Sequence, residues 1–185
     1  MFVLWNFICD KDKGPRAGAL IGHVFMEKIR LLLADDHTLF RQGIRALVSA
    51  EPDMEVVGEA ANGGDAVDKA AEARPDVVLM DIGMAGLSSF EATRQIKKNR
   101  RETKVVFLTM YDDENYLFEG LEVGASGYVL KDIPSAQLVA AVRDICRDGA
   151  VFAVGKLGFG ALICQRGEHP AAHYFVISAE ECCPS

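Results

Sequence analysis

An open parallel α/β sheet of five strands, each followed by a helix, is the fold this sequence predicts. Short apolar runs rich in leucine and valine recur through the middle of the chain, and the stretches between them repeat apolar residues at helical spacing. The strand runs are continuously apolar rather than alternating. That pattern belongs to a parallel sheet covered on both faces.

The strands are "KIRLLLA" from Lys28, "MEVVGEA" from Met54, "DVVLM" from Asp76, "KVVFLTM" from Lys104 and "SGYVL" from Ser126. The first helix carries Phe40, Ile44, Leu47 and Val48 on one face, and the second carries Ala66, Val67, Ala70 and Ala71. Phe90, Thr93, Ile96 and Lys97 mark the third helix, and Tyr116, Leu117, Leu121 and Val123 the fourth. Leu138, Val139, Val142 and Ile145 mark the fifth. Pro52-Asp53 and Arg74-Pro75-Asp76 break the chain ahead of the second and third strands. Asn62-Gly63-Gly64 starts a helix, Gly124 and Gly127 flank the fifth strand's beginning, and Pro134 suits the first turn of the last helix.

Of 185 residues, half are hydrophobic and a quarter charged, enough for a core and too apolar for wholesale disorder. The net charge of -7 sits in residues 27–150, which hold 15 Lys+Arg against 22 Asp+Glu; the first 26 residues add +1 and the last 35 add -1. An acidic core is a poor general binder of nucleic acid, which needs clustered cations. The five cysteines fit neither a disulfide framework nor a zinc ribbon, and read as reduced thiols in a cytoplasmic protein. No run reaches the roughly 18 apolar residues a membrane span needs, so no membrane association is expected. Residues 1–27 read as an extension of uncertain structure, with Met26 a natural start. Residues 150–185 read as an atypical or frame-shifted tail, and "GKLGFG" within them lacks the spacing of a phosphate loop.

In such a sheet, ligands bind beyond the carboxyl ends of the strands. Asp35 and Asp36 end the first strand, Asp81 the third and Thr109 the fourth, and Lys131 follows the fifth. Three acids together repel, and a hard divalent cation, Mg²⁺ with several waters, is the natural neutraliser. Asp81 then suits a nucleophile that becomes an aspartyl phosphate. Lys131 suits a partner for Asp81 and then for a phosphoryl oxygen, and the Thr109 hydroxyl a donor to another. His37 reads as a first-turn helix residue, because Mg²⁺ prefers oxygen. "KKNRR", Lys97 to Arg101, reads as helix-end charge and a solvated loop.

The stretches "LLLADDHTLFRQGIRALV", "PDVVLMDIGMAGLSSFEATRQIK", "VVFLTMYDDENY" and "GASGYVLKD" are specific in combination. Through them, residues 28–149 resemble the receiver domain of bacterial two-component response regulators, most of all the NarL/FixJ (LuxR-type) branch. The resemblance implies a flavodoxin-like (βα)5 doubly wound sheet in the order 2-1-3-4-5. It implies Asp81 as phosphoacceptor, Asp36 as direct Mg²⁺ ligand, Asp35 acting mainly through water, and the backbone carbonyl of Gly83 as a further ligand. Thr109 is then the switch hydroxyl, Tyr128 the switch aromatic that turns inward on phosphorylation, and Lys131 the phosphate-pairing cation. The implied partner is a cognate histidine kinase. The face made by the fourth helix, fifth strand and fifth helix is the implied surface for partners, homodimers or heterodimers.

The chain departs from the family in three places. Met84-Ala85-Gly86 stands where Met-Pro-Gly is usual, and Ser89 where Gly is common; both are expected to loosen the loop after Asp81. Met110, typical of this branch and so no departure, is expected to narrow the mouth of the site. The branch normally continues into a helix-turn-helix domain of roughly 60 residues. No such pattern follows Gly149, so direct DNA binding is not expected and the chain reads as a single-domain regulator or a truncated one. An aspartyl-nucleophile phosphohydrolase is the enzymatic alternative, but Gly83 stands where its second acid belongs. No enzyme activity beyond the receiver's own phosphorylation and dephosphorylation is expected.

Overall fold

A computed structural model describes residues 27–110, 113–148, 151–153 and 160–161. Five strands form the predicted sheet: β1 (Ile29–Ala34), β2 (Met54–Ala60), β3 (Val77–Asp81), β4 (Lys104–Thr109) and β5 (Gly127–Leu130). Between and after them run α1 (Thr38–Ser49), α2 (Gly63–Ala73), α3 (Ser89–Asn99), α4 (Glu114–Glu122) and α5 (Ser135–Asp148). Pairing among the five is parallel throughout, in the order β2-β1-β3-β4-β5. The sheet continues past the predicted edge. β6 (Val151–Ala153) pairs parallel to β5, and β7 (Gly160–Ala161) pairs antiparallel to β6. No strand was expected in this stretch; residues 1–26 of the predicted leader and the other residues of the tail lie outside the described ones.

The apolar runs of β1, β3, β4 and β5 are buried on both sides, as the pattern required, while β2, at the edge of the sheet, is only partly buried between its ends. Along β1, Leu31 and Leu33 face a core shared with Ile44 and Val48 of α1 and Val142 and Ile145 of α5. Leu32 and Ala34 face the other core, with Ala66 and Ala70 of α2 and Phe90 and Ile96 of α3. Alternate residues therefore serve opposite layers, which is the period of a strand.

The helix starts explain themselves locally. Asn62 accepts from the Asp65 amide at 2.9 Å, Ser88 from the Glu91 amide at 3.2 Å, and Asp113 from the Asn115 amide at 2.9 Å. Pro134 lies just ahead of α5, and its carbonyl accepts from Gln137 at 2.8 Å. Two helical assignments change. Ala71 is exposed, because the inward stripe of α2 runs through Gly63, Ala66 and Ala70. Lys97 is not simply solvated charge: it is partly buried, with Nζ 3.4 Å from the Ser126 hydroxyl.

Candidate functional site

The carboxyl ends of β1, β3, β4 and β5 bring the predicted residues together. Backbone bonds carry the ladder past the strand ends and fix their positions. The Asp35 amide donates to the Ala60 carbonyl at 3.0 Å, and the Lys131 amide to the Thr109 carbonyl at 2.8 Å. Asp35 is 2% exposed and Asp81 5% exposed, while Asp36 stands in solvent. Lys131 Nζ lies 2.8 Å from Asp35 Oδ2 and 3.1 Å from Asp81 Oδ1. Asp35 Oδ2 accepts no well-formed hydrogen bond, so the ammonium's charge is what compensates it.

Three carboxylates against one ammonium leave the cluster negative. One donor atom from each of Asp35, Asp36, His37 and Asp81 lies within 4.8 Å of the others, a span that one cation can bridge. The carboxylate oxygens are the hard donors that Mg²⁺ takes, so the residues fit that ion. Gly83 contributes an amide: its N–H donates to Asp81 Oδ1 at 3.3 Å.

Thr109 and Tyr128 are each 1% exposed. Tyr128 pairs across the sheet with Phe107, one period of the pleat away from the Thr109–Leu130 pair. The Tyr128 ring is already inside the core on the α2–α4 side. Its burial is also what an ordinary packing aromatic needs. Met110 stands 70% exposed at the rim.

Several contributors escaped the sequence reading. Ser89 was expected to loosen the loop after Asp81, and it does the opposite. It is fully buried, and its hydroxyl donates to the carbonyls of Asp81 at 2.5 Å and Ile82 at 3.2 Å. A glycine there has no such tether. Phe40 lies under Lys131, with Nζ 4.7 Å from the ring centroid. Arg41 Nη1 donates to the Asp35 carbonyl at 2.5 Å while its Nε holds Glu59 at 2.9 Å. Burial by itself would raise the Glu59 pKa, but bonds from Arg45 and Arg41 hold it below the ordinary value. His37 precedes α1 as its N-cap rather than lying in its first turn, and its ring turns toward the acids. The hint in the sequence was position: all four residues lie within ten residues of a site acid, on a helix start.

Among the described residues, no helix is long and apolar enough to cross a membrane. The response regulator receiver domain family matches residues 31–143. The uncharacterized transcriptional regulatory protein YxjL of Bacillus subtilis is 44% identical over 126 residues, covering 68% of this chain and 58% of that protein. The oxygen regulatory protein NreC of Staphylococcus haemolyticus is 47% identical over 118 residues, covering 63% of this chain and 54% of its own. The chain thus spans about half the length of the curated relatives it matches. Among solved structures, a LuxR-family response regulator from Aurantimonas aligns with TM-score 0.66 and 35% identity, over 70% of this chain and 91% of that one. The receiver domain of the putative response regulator NarL from Mycobacterium tuberculosis aligns with TM-score 0.63 and 32% identity, over 65% of this chain and 98% of that one. A matched family over most of the folded residues, with its acids and lysine at the expected strand ends, makes this chain a member of the response regulator receiver domain family.

Proposed function

We propose that this chain is a phosphorylatable switch that accepts a phosphoryl group from a histidine kinase onto Asp81. The observation that carries the reading is the buried contact between Lys131 and Asp81, made beside two further acids. In the transfer, a carboxylate oxygen of Asp81 forms the bond to phosphorus as the phosphorus–nitrogen bond of the donor breaks, and the donor imidazole leaves with the electron pair. Asp35, Asp36, Asp81 and the Gly83 carbonyl would hold Mg²⁺. When bound, that ion supplies charge balance for the phosphoryl oxygens. Lys131 turns from Asp81 to a phosphoryl oxygen, and the Gly83 amide stays as a donor beside it.

Thr109 moves toward the phosphoryl group, and the inward Tyr128 is the position that goes with this state. The remodelled surface is that of α4, β5 and α5, which serves a partner or a second receiver. The chemistry is confined to the chain's own phosphorylation and loss of phosphate, in the cytoplasm. Direct DNA binding is not part of this reading.

Incubation with a small phosphodonor and Mg²⁺ tests it. An acid-stable, base-labile phosphate is expected on the wild-type chain and not on Asp81→Asn. Its absence from wild type, or its retention in the variant, sinks the reading.

A further inference from the structure

His37 makes no capping bond. It sits at the N-cap of α1 with φ -79 and ψ 97, and its side chain caps nothing. Instead Nδ1 lies 2.9 Å from Asp36 Oδ1, 3.4 Å from Asp35 Oδ1 and 3.9 Å from Asp81 Oδ2. These are not the oxygens that Lys131 takes, which are Asp35 Oδ2 and Asp81 Oδ1. The two side chains divide the acid cluster between them. The lysine side is closed, with that side chain 5% exposed, whereas the imidazole is 72% exposed and open to solvent ions.

The spacing on the histidine side suits one coordination sphere. Donors at roughly 2.1 Å from a six-coordinate ion lie roughly 3.0 Å apart when adjacent and roughly 4.2 Å apart when opposite. The three Nδ1 distances, 2.9, 3.4 and 3.9 Å, lie near or between those two values. Asp35 adds a buried carboxylate whose Oδ1, 3.4 Å from the imidazole, faces the same space while its Oδ2 faces Lys131. A nitrogen donor changes what such a site prefers. Mg²⁺ keeps waters and takes oxygen, while imidazole suits Co²⁺, Ni²⁺ and Zn²⁺.

We propose that His37 is a metal-specificity residue, its Nδ1 completing the cation site with Asp35, Asp36 and Asp81 and favouring a borderline transition ion over Mg²⁺. The inference rests on reading the acid cluster as a cation site. A proton on Nδ1 bonded to Asp36 would give the same short contact, and metal titration separates the two arrangements.

The test titrates Mg²⁺ and Co²⁺ into the full chain by calorimetry, with Co²⁺ repeated under saturating Mg²⁺. The competed fraction reports the acid cluster and leaves out ions held by cysteine thiols. In His37→Gln, and again in His37→Asn, the competed Co²⁺ affinity is expected to fall at least tenfold while Mg²⁺ affinity stays within twofold. The wild-type imidazole resonance of His37, assigned by its loss in His37→Gln, is expected to shift much further with Zn²⁺ than with Mg²⁺. An unchanged ratio of Co²⁺ to Mg²⁺ affinity, or a His37 resonance blind to Zn²⁺, overturns the role of His37 alone. Failure of the wild-type chain to bind Mg²⁺ overturns the cation site itself.

Discussion

The Ser89 hydroxyl donates to the backbone carbonyl of Asp81 at 2.5 Å, tying the first residue of α3 to the last residue of β3. Both are buried, so the bond has no competition from water. It fixes the loop from Ile82 to Ser88 at its two ends. Removing it leaves the Asp81 carbonyl short of a donor. Ser89→Ala is expected to cost about 1–2 kcal/mol, read as a lower urea midpoint at unchanged slope. Faster hydrogen exchange at Ile82 and Gly83 is expected with it.

Among the described residues, Lys131 is the lysine that reaches both Asp35 and Asp81, at 2.8 and 3.1 Å. Lys131→Met removes the charge and keeps most of the length. It leaves two buried acids facing each other, and breaking a buried pair from one side costs about 3–5 kcal/mol. Denaturation without divalent ion should show that loss, and millimolar Mg²⁺ should restore more stability to the variant than to wild type. Equal gains would mean the acids are not what the ion neutralises.

Gly63 begins α2 where a Cβ would stand 2.2 Å from the Leu87 carbonyl oxygen. That neighbour is backbone and cannot swing away. Gly63→Ala is expected to lose roughly 1–3 kcal/mol by forcing α2 away from the loop before α3. Gly43, where an added Cβ would meet nothing within 4 Å, is the control: Gly43→Ala on the exposed side of α1 should gain up to about 1 kcal/mol.

Lys97 releases its proton early. Burial disfavours its ammonium and Lys104 repels it, against a smaller pull from Glu102, so its pKa falls from 10.5 to about 8. Below the folded value both states hold the proton, and the burial cost stands in full. Between about 8 and 10.5 the unfolded chain binds more protons, so this group's contribution rises with pH across that window. Lys97→Met removes the titration. Its stability advantage over wild type is expected to be largest at pH 7 and to shrink towards pH 10.5, measured by urea midpoints on both proteins.

Much of the site was legible because its residues sit where apolar runs stop. Asp81, Thr109 and Lys131 end or follow buried strands, and parallel pairing brings such ends to one edge whatever their separation in sequence. Asp35 and Asp36 were legible for the same reason. Ser89, Phe40, Arg41 and the ring of His37 were not. Their roles depend on how α1 and α3 are rotated against the sheet, and helical periodicity fixes which face is buried but not which atom meets which carbonyl. Ala71 shows the same limit, since two overlapping stripes on α2 fit the pattern and packing against the sheet chose the one through Ala66 and Ala70.

Hydrophobic period, and the points where charge interrupts it, set the strand count of the receiver core, its parallel sense, and the acids and lysine at its carboxyl edge. All of these can be read along the chain. Packing alone settled that Lys131 and His37 share the carboxylate oxygens between them, that Ser89 tightens rather than loosens the loop, and that β6 and β7 extend the sheet beyond β5. Those outcomes turn on distances of a few ångströms between side chains and strands that meet only in the folded chain, and local sequence carries no record of them.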